Sequence, residues 1–375
     1  MIYIAILISI IYSALIVAFI IGFKKLEIFK NGNSAPKNTF SIVIAFRNEA
    51  KNLPTLLQSL SKLQYPTNLF EILLVNDNST DEFELIIADF MKLYPQIHIT
   101  LYNNKEKTNS PKKDAISLGI KQSQFEWIVT TDADCIIPVK WLQAFNHFIE
   151  EKKPLFISAP VKFKNENSFL FHFQNLNFMS LIGSTIGSFG IKKPFICNGA
   201  NLCYSKKIFI ELNGFSGNEA IASGDDIFLL EKMIEKYPAK LHYLKIEEAT
   251  VLTHSESTWR HFLNQQIRWA SKSASYSNVF SKFIGIIILS ENLLILITII
   301  FAIFNSIYWI LLLLLLIQKI LIDFILLYKT ATFFKQYNSI GYFPIVSFLY
   351  PLYILIISFL STFKKYEWKG RLFKK

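Results

Sequence analysis

Two strongly apolar zones at the ends of the 375-residue chain constrain its fold more than any other feature. Residues 2–23 contain no charged side chain, and their number matches the hydrocarbon thickness of a bilayer. Lys24, Lys25 and Lys30 follow, so the positive-inside rule places the next part of the chain in the cytoplasm. Because a basic start and a small-residue cleavage site are missing, we expect residues 1–23 to be a membrane helix and not a signal peptide.

The second apolar zone, residues 280–363, predicts two or three further membrane spans. Its candidate segments are residues 283–304, 307–328 and 340–363. Three crossings would place the tail, residues 364–375, outside the cell, whereas its six Lys and Arg residues favour the cytoplasm. The sequence therefore leaves open whether one segment is re-entrant or interfacial, such as the last, which contains Pro344 and Pro351.

Between the apolar zones, a linker at residues 24–39 leads into residues 40–279, which have an ordinary globular composition. This middle part is long enough for one well-buried core. The net charge of +11 fits the cytoplasmic loops of a membrane protein, and no zinc-finger or RNA-binding motif supports a nucleic-acid partner. Three irregularly spaced cysteines exclude a disulfide framework and fit a reducing cytosol.

Short apolar runs alternate with helical patterns in the first half of this middle part. The predicted strands are residues 41–46, 71–76, 97–102 and 126–131, and predicted helices cover 48–64 and 110–121. Residues 79–82 resemble a capping box, while Ser110 and Pro111 suit the start of a helix. The alternation predicts an α/β fold with a mainly parallel sheet flanked by helices, in which ligands bind at the carboxyl ends of the strands.

Asp132 and Asp134 follow the last of these strands and form the sharpest local feature. Side chains at positions i and i+2 of an extended segment point the same way, so the two carboxylates converge. Such a pair repels itself unless a cation joins it. A hard divalent ion bound there would bridge to a diphosphate, although an isolated Asp-x-Asp also arises by chance.

Further polar motifs flank this pair in chain order. They are Ala-Phe-Arg-Asn-Glu at residues 45–49, Asp77, Ser-Gly-Asp-Asp at 223–226 and Gln-Gln-Ile-Arg-Trp at 265–269. With them the chain resembles the family 2 inverting glycosyltransferases of the GT-A fold. The resemblance covers residues 40–272 and is strongest to membrane members such as cellulose, hyaluronan and chitin synthases and bacterial lipid glycosyltransferases.

The resemblance implies a nucleotide-sugar donor site in the first half of the domain. Ala45 and Glu49 would border the nucleotide pocket, and Asp77 would contact the base, which is commonly uracil in this family. Residues 110–115 match the Gly-Lys-x-x-Ala-Leu segment of the family, which implies that Lys112 or Lys113 lies near the diphosphate. Ser110 stands where the family often has glycine, so the choice between the two lysines stays open.

The resemblance also implies the catalytic and metal-binding roles. Asp132 would bind the nucleotide, and Asp134, with Asp132, would hold Mg²⁺ or Mn²⁺. Asn201 belongs to a segment that lines the donor-sugar and acceptor region. Asp226 would be the general base, while Asp225 would contact substrate or cap the helix that follows it.

Gln265, Arg268 and Trp269 form the motif typical of processive synthases. The resemblance implies that Arg268 and Trp269 hold the acceptor or the diphosphate near the membrane surface, with Trp269 stacking on a sugar ring. Without the resemblance, Trp269 would be interpreted as an interfacial anchor beside a membrane segment.

The apolar zones predict a multi-pass protein of the cytoplasmic membrane with a cytosolic middle part, and the resemblance implies that this part is the catalytic domain of an enzyme. We expect it to transfer a sugar from a UDP-sugar to a lipid acceptor, with inversion and with metal assistance. A processive polysaccharide synthase is the alternative, and an inactive scaffold or a transporter is a second one. The apolar zone offers few polar side chains for lining a glycan channel, namely Ser290, Asn292, Asn305, Gln318 and Asp323.

Overall fold

A computed structural model describes residues 2–32, 34–105, 107–219, 221, 223–363 and 366–373. The first elements are α1 (Ile2–Lys25), β1 (Phe40–Phe46), α2 (Leu53–Leu60), β2 (Phe70–Asn76), α3 (Phe83–Leu93), β3 (Ile99–Asn103), α4 (Pro111–Gln122), β4 (Trp127–Thr130), α5 (Trp141–Lys152), β5 (Phe156–Ser158) and β6 (Val161–Phe163). They are followed by α6 (Phe169–Gly190), β7 (Leu202–Ser205), α7 (Lys206–Glu211), α8 (Asp225–Lys236), β8 (Leu241–Tyr243), β9 (Val251–Thr253), α9 (Trp259–Ser271), α10 (Val279–Phe304), α11 (Ile307–Phe334), α12 (Phe343–Phe363), β10 (Tyr366–Trp368) and β11 (Arg371–Phe373).

The described residues form two compact units. The sheet unit comprises Glu27–Lys164 and Ile196–His254, and the helical unit comprises the described parts of Met1–Leu26, Asn165–Phe195 and Ser255–Lys375.

The sheet unit is built on a seven-stranded sheet in the order β3-β2-β1-β4-β7-β5-β8. Strands β1 to β4 run parallel, whereas β7 is antiparallel to both β4 and β5. Every residue of β2 is buried, and α4 packs on β1 through Gly119, where a Cβ atom would lie 2.5 Å from Val43 Cγ1. The prediction of a mainly parallel sheet flanked by helices is confirmed.

Of two local predictions about helix starts, the capping box at residues 79–82 is wrong, and the start of α4 at Ser110 and Pro111 is confirmed in position. The Asp81 carboxylate accepts a hydrogen bond from the Ala50 amide at 2.7 Å, and the Ser79 hydroxyl accepts one from the Asn48 amide at 3.0 Å. These side chains therefore join the loops after β1 and β2 and do not cap α3. Ser110 is the N-cap residue of α4 and Pro111 is its first residue. The Ser110 side chain does not bond to the helix, since its hydroxyl donates to the Glu219 carbonyl at 2.9 Å.

Most of the predicted linker belongs to the sheet unit, which begins at Glu27. The side-chain carbonyl of Asn146 accepts hydrogen bonds from the backbone amides of Lys37 and Asn38, each at 3.0 Å. Farther upstream, the Phe29 amide donates to the Lys245 carbonyl at 2.9 Å. The ordered unit thus begins near residue 27, before the predicted domain start at residue 40.

The helical unit contains four helices that are long and apolar enough to cross a membrane, counted over the described residues. They include α1, α10 and α11, and the fourth spans Tyr337–Phe363, which begins with a 3₁₀ segment and continues through Pro351 as α12. The sequence predicted two or three C-terminal spans, and the structure has three helices of that kind in the described residues of this part of the chain. Residues 364, 365, 374 and 375 of the basic tail lie outside the described residues, and β10 and β11 pair antiparallel between them.

The helical unit also takes up α6 and α9, which the sequence interpretation placed in one domain with the sheet at residues 40–279. Helix α6 is buried around most of its circumference. It meets α1 at small residues, since a Cβ atom on Gly22 would lie 2.0 Å from the Gly187 carbonyl oxygen. Glycine at such a crossing lets two backbones touch, and helices in membranes commonly associate in this way.

Candidate active site

The candidate site lies at the carboxyl ends of the central parallel strands of the sheet unit. Strand β1 lies between β2 and β4, so the loops that follow these three strands emerge at the same edge of the sheet. Ala45 is paired with Val75 one residue before the end of β1. The loop after β1 contributes Glu49, which is 7% exposed and whose Oε2 accepts a hydrogen bond from Asn52 Nδ2 at 2.6 Å.

The loops after β1 and β2 hold each other through an arginine. Arg47 Nη1 donates to the backbone carbonyls of Asp77 at 2.8 Å and Asn78 at 2.6 Å. Asn48 and Asn78 have positive φ angles of 52° and 54°, a conformation that asparagine tolerates better than most residues. Arg47 therefore holds the backbone of residues 77 and 78, the segment predicted to bind the base, against the loop after β1.

Asp77 is almost fully buried, at 2% exposure, and its position is set from two sides. Its amide donates to the Phe46 carbonyl at 2.8 Å, and its Oδ1 accepts from Asn104 Nδ2 at 3.3 Å. Asn104 also donates to the Pro111 carbonyl at 3.2 Å, which joins the loop after β3 to the start of α4. The sequence analysis missed Asn104, although an asparagine just after a parallel strand was a usable signal.

The structure distinguishes the two candidate lysines. Lys112 Nζ lies 2.8 Å from Asp132 Oδ1 and 3.6 Å from Asp225 Oδ2. Burial alone would lower the pKa of the Lys112 ammonium, but the two carboxylates raise it by more, so its pKa lies well above the usual value. Lys112 therefore carries a fixed positive charge beside the acidic residues, at the amino end of a twelve-residue helix.

Lys113 has a different position. It is 2% exposed, and its ammonium donates to the carbonyls of Asn218 and Ile221, both at 2.8 Å. The same ammonium lies 4.6 Å from the centre of the Phe228 ring. Lys113 thus fastens the segment before α8 to α4, and its contacts are those of a structural residue.

Asp132 and Asp134 lie in the turn after β4, where both are partly exposed. The Cys135 thiol donates to Asp134 Oδ1 at 3.7 Å. Burial and the charges of Asp134 and Asp132 raise the pKa of this thiol well above its usual value, so it stays protonated and can donate.

The turn after β4 offers two carboxylates to a divalent metal. No group of three or more His, Cys, Asp or Glu side chains in the described part of the chain is arranged to hold a metal. Two carboxylates with phosphate and water oxygens are, however, the donor set that Mg²⁺ commonly takes in proteins. Asp132 and Asp134 therefore fit an ion that binds together with a diphosphate.

Asp226 lies in the first turn of α8 with its carboxylate oriented by backbone amides. Its Oδ2 accepts from the Gly199 amide at 3.2 Å, and its Oδ1 from the Ile227 amide at 2.8 Å. A side chain at position 199 would crowd the acids, because a Cβ atom there would lie 3.2 Å from Asp225 Oδ2. Sequence analysis did not single out Gly199 as the residue that permits this approach.

Asp225 does not cap α8, which corrects one of the two roles expected for it. Gly224 is the N-cap residue, with a φ angle of +86° that favours glycine. Asp225 is the first residue of the helix, and its carboxylate faces Lys112.

Asn201 is fully buried, and its amide is occupied within the protein. Its Oδ1 accepts from Trp141 Nε1 at 2.9 Å, and its Nδ2 donates to the carbonyls of Pro160 at 2.8 Å and Ala249 at 2.7 Å. These bonds make Asn201 a support for the segment that carries Gly199.

Gln265, Arg268 and Trp269 lie on α9 in the helical unit, whereas the other predicted site residues belong to the sheet unit. Gln265 Nε2 donates to Glu256 Oε1 at 3.0 Å. The Trp269 ring lies 6.4 Å from the Phe178 ring. Their role in binding stays a prediction from the motif.

Comparison with known proteins agrees with this architecture. The model of glycosyl transferase family 2 matches residues 41–212, and that of glycosyl transferase family group 2 matches residues 127–357. A poly-β-1,6-N-acetyl-D-glucosamine synthase of Staphylococcus epidermidis is 30% identical over 149 residues, which cover 38% of this chain and 33% of that protein. Its counterpart in Staphylococcus aureus is 26% identical over 147 residues, with the same coverage. The chain thus matches a third of the length of these relatives.

Among solved structures, a mannosyltransferase from Pyrobaculum calidifontis, determined with GDP-Man and Mn²⁺, has a similar fold. The TM-score is 0.57 at 14% sequence identity, with 97% of this chain and 99% of that protein covered. This likeness shows a GT-A fold, here with apolar helices at both ends. The family match over more than half of the sequence identifies the chain as a member of glycosyltransferase family 2.

Proposed function

We propose that this glycosyltransferase transfers one sugar from a UDP-sugar to the hydroxyl group of a lipid, at the cytoplasmic face of the cell membrane. The observation that carries the proposal is the arrangement of Asp226 beside Lys112, Asp132 and Asp225. A carboxylate held by backbone amides and a lysine that bridges two acids suit a general base next to a diphosphate site.

Asp226 accepts the proton of the acceptor hydroxyl in this mechanism. The oxygen forms a bond to the anomeric carbon of the sugar as the bond from that carbon to the diphosphate oxygen breaks. One displacement at one carbon inverts its configuration. The Gly199 and Ile227 amides hold the Asp226 carboxylate in one orientation, which keeps the base in place between turnovers.

Lys112 and Asp77 are proposed to hold the donor. The ammonium of Lys112 and the amino end of α4 both attract a diphosphate. Asp77 would contact the base, as the family resemblance implies. Asp134 and Asp132 would hold Mg²⁺ or Mn²⁺, which would supply positive charge to offset that of the diphosphate leaving group.

The identity of the base is proposed from the family resemblance. The mannosyltransferase of similar fold was solved with GDP-Man, so GDP is the competitor to test. Titration of the purified protein with UDP and with GDP, each with Mn²⁺, distinguishes them. Tighter binding of GDP would refute the UDP assignment.

Contacts inside the helical unit support a lipid acceptor. Three polar side chains that could have lined a glycan path already form hydrogen bonds within the helical unit, two of them to α1 and one, that of Asn305, inside the turn before α11. Gln318 donates to the Ser9 carbonyl at 2.7 Å, Asn305 accepts from the Ile307 amide at 3.1 Å, and Asp323 accepts from the Tyr12 hydroxyl at 2.6 Å. A polysaccharide needs hydrogen-bonding groups along its whole path through hydrocarbon, whereas a lipid leaves its tail in the bilayer.

Processive synthesis is the second candidate, because some relatives of this chain carry the name of a polymer synthase. The staphylococcal proteins are named as synthases of a polymer, and the motif at residues 265–269 is typical of processive enzymes. Since the match covers a third of those proteins, the acceptor of this chain remains a proposal.

The test incubates membranes that contain the protein with a radiolabelled nucleotide sugar and follows the product. Label that extracts into organic solvent as a single-sugar lipid supports the proposal. Label in a polymer that resists extraction and lengthens with time would overturn it. Asp226→Asn serves as the control, since it keeps the shape of the side chain and removes the base.

The proposed location is the cytoplasmic membrane, with the sheet unit in the cytosol. Lys24 and Lys25 at the end of α1, with Lys30 after it, favour this orientation, and the four apolar helices supply the membrane part.

A further inference from the structure

Helix α6 presents one row of side chains to the segment that carries Gln265, Arg268 and Trp269. Gln174, Asn177 and Phe178 are spaced at positions i, i+3 and i+4, so they share one face of the helix. All of these residues belong to the helical unit. The sequence motifs did not include α6.

Gln174 fixes the start of the motif segment through two hydrogen bonds. Its Nε2 donates to the Glu256 carbonyl at 2.9 Å, and its Oε1 accepts from the Glu256 amide at 2.9 Å. The Glu256 carboxylate in turn accepts from Gln265 Nε2 at 3.0 Å. The first glutamine of the motif is therefore tied to α6 through one intermediate residue.

Asn177 and Phe178 hold the remainder of α9. Asn177 Nδ2 donates to Gln266 Oε1 at 3.2 Å, and both side chains are buried, at 6% and 7% exposure. The Phe178 ring lies 6.4 Å from that of Trp269. A buried amide is costly to leave unsatisfied, so this pair favours one placement of α9 against α6.

Asn177 of this row also contacts the apolar helices. The Tyr350 hydroxyl on α12 donates to Asn177 Oδ1 at 3.4 Å, and its ring lies 5.4 Å from the Lys319 ammonium on α11. Lys319 forms an ion pair with Asp323 one turn away. Asn177 thus stands where contacts from α9 and from the membrane helices meet.

We propose that Gln174, Asn177 and Phe178 are positioning residues that set the orientation of the motif helix α9 for acceptor binding. The part that concerns the acceptor rests on the proposed function, in which Gln265, Arg268 and Trp269 would contact it. The part that concerns the orientation of α9 rests on these contacts alone.

The first test measures hydrogen exchange of the full-length protein in nanodiscs. In Asn177→Leu we expect amides of residues 259–271 to exchange about tenfold faster, because a buried hydrogen bond that restrained local opening is lost. Thr185→Val is the matched control, since it removes another buried polar group of α6 that bonds to its own helix at Leu181. Unchanged exchange in α9, or the same increase in the control, would overturn the proposal.

The second test separates positioning from general loosening. Asn177→Leu should raise the acceptor KM about tenfold while the Kd for UDP stays unchanged. The double variant Asn177→Gln with Gln266→Asn swaps the two side chains and keeps an amide at both positions. It should return the acceptor KM most of the way to the parent value. If α9 loosens while the acceptor KM stays constant, the positioning role is wrong. If the parent protein transfers no sugar to lipid, the proposed function fails, and the exchange experiment still decides whether α6 orients α9.

Discussion

Lys112 and Lys113 are neighbours in sequence, yet the structure gives them separate tasks, and a pair of substitutions tests this. Lys112→Met removes the charge that faces Asp132 and Asp225 and leaves the fold contacts of α4 in place. Lys113→Met removes the two hydrogen bonds that fasten residues 218 and 221. We expect the first variant to lose diphosphate affinity and the second to lose stability.

The expected magnitude for Lys112→Met follows from its contacts. A hydrogen bond from a charged group contributes about 1.5–3 kcal/mol, which corresponds to roughly 10- to 150-fold in Kd. In the ligand-free protein the Lys112 ammonium already pairs with the carboxylates of Asp132 and Asp225. A diphosphate must compete with these carboxylates for the ammonium, so the net gain in binding free energy is smaller. Because Asp132 is 37% exposed, that pair is also partly screened. We therefore expect UDP to bind about tenfold more weakly, at the lower end of that range.

The assay is isothermal titration with UDP and with uridine, which lacks the diphosphate. Lys112→Met should weaken UDP binding and leave uridine binding unchanged. Lys113→Met should lower the free energy of unfolding by about 2–4 kcal/mol, since two carbonyls lose a charged donor. The reasoning is refuted if Lys112→Met binds UDP as the parent does, or if uridine binding falls equally.

Four further predictions follow from the site and the membrane helices. Asp226→Asn should lower turnover by at least about 100-fold with UDP affinity largely kept, as steady-state kinetics and titration would show; if Asp225→Asn behaves this way instead, the base is misassigned. Asp134→Ala should abolish the Mn²⁺-dependent part of UDP binding, and unchanged affinity with Mn²⁺ would contradict the metal assignment. The pKa of Lys112 is raised, so its ammonium keeps its full charge below pH of about 10 and loses it only at higher pH. UDP affinity measured without metal should therefore stay constant from pH about 7 to 9, and a decline in that interval would contradict the role of Lys112. A reporter enzyme fused after Lys375 should be active in the cytoplasm, and activity only outside the cell would instead favour three full C-terminal crossings.

The amino-acid sequence alone determined the architecture of this enzyme to a large extent. Uncharged apolar runs of membrane-spanning length predicted the terminal helices, because about 20 consecutive apolar residues are needed for an α-helix to cross the hydrocarbon core with its backbone hydrogen bonds satisfied. Alternating apolar strands and helices predicted the parallel sheet. Polar residues directly after buried strands predicted the edge at which Asp77 and Asp132 lie, since parallel strands bring their carboxyl ends to one edge.

Tertiary structure decided which side chain meets which partner. Lys112 and Lys113 are chemically equal in sequence, and only the placement of β4 and α8 directs one to Asp132 and the other to Asn218. Asn201 looked like a substrate contact, whereas its partners Trp141 and Ala249 come from distant parts of the chain. Such contacts depend on segments separated by up to about a hundred residues, so local patterns do not report them.

The same reason explains why the sequence pattern did not group α6 with the apolar helices. Helix α6 lies between β6 and β7 in sequence and is not among the helices apolar enough to cross a membrane, so the linear pattern joined it to the neighbouring strands. Its fit to α1 depends on Gly22, Gly187 and Gly190, where the absence of Cβ atoms lets the two backbones touch. Whether two glycine-containing surfaces lie opposite each other is a property of the folded chain, and this decided that α6 belongs with the membrane helices.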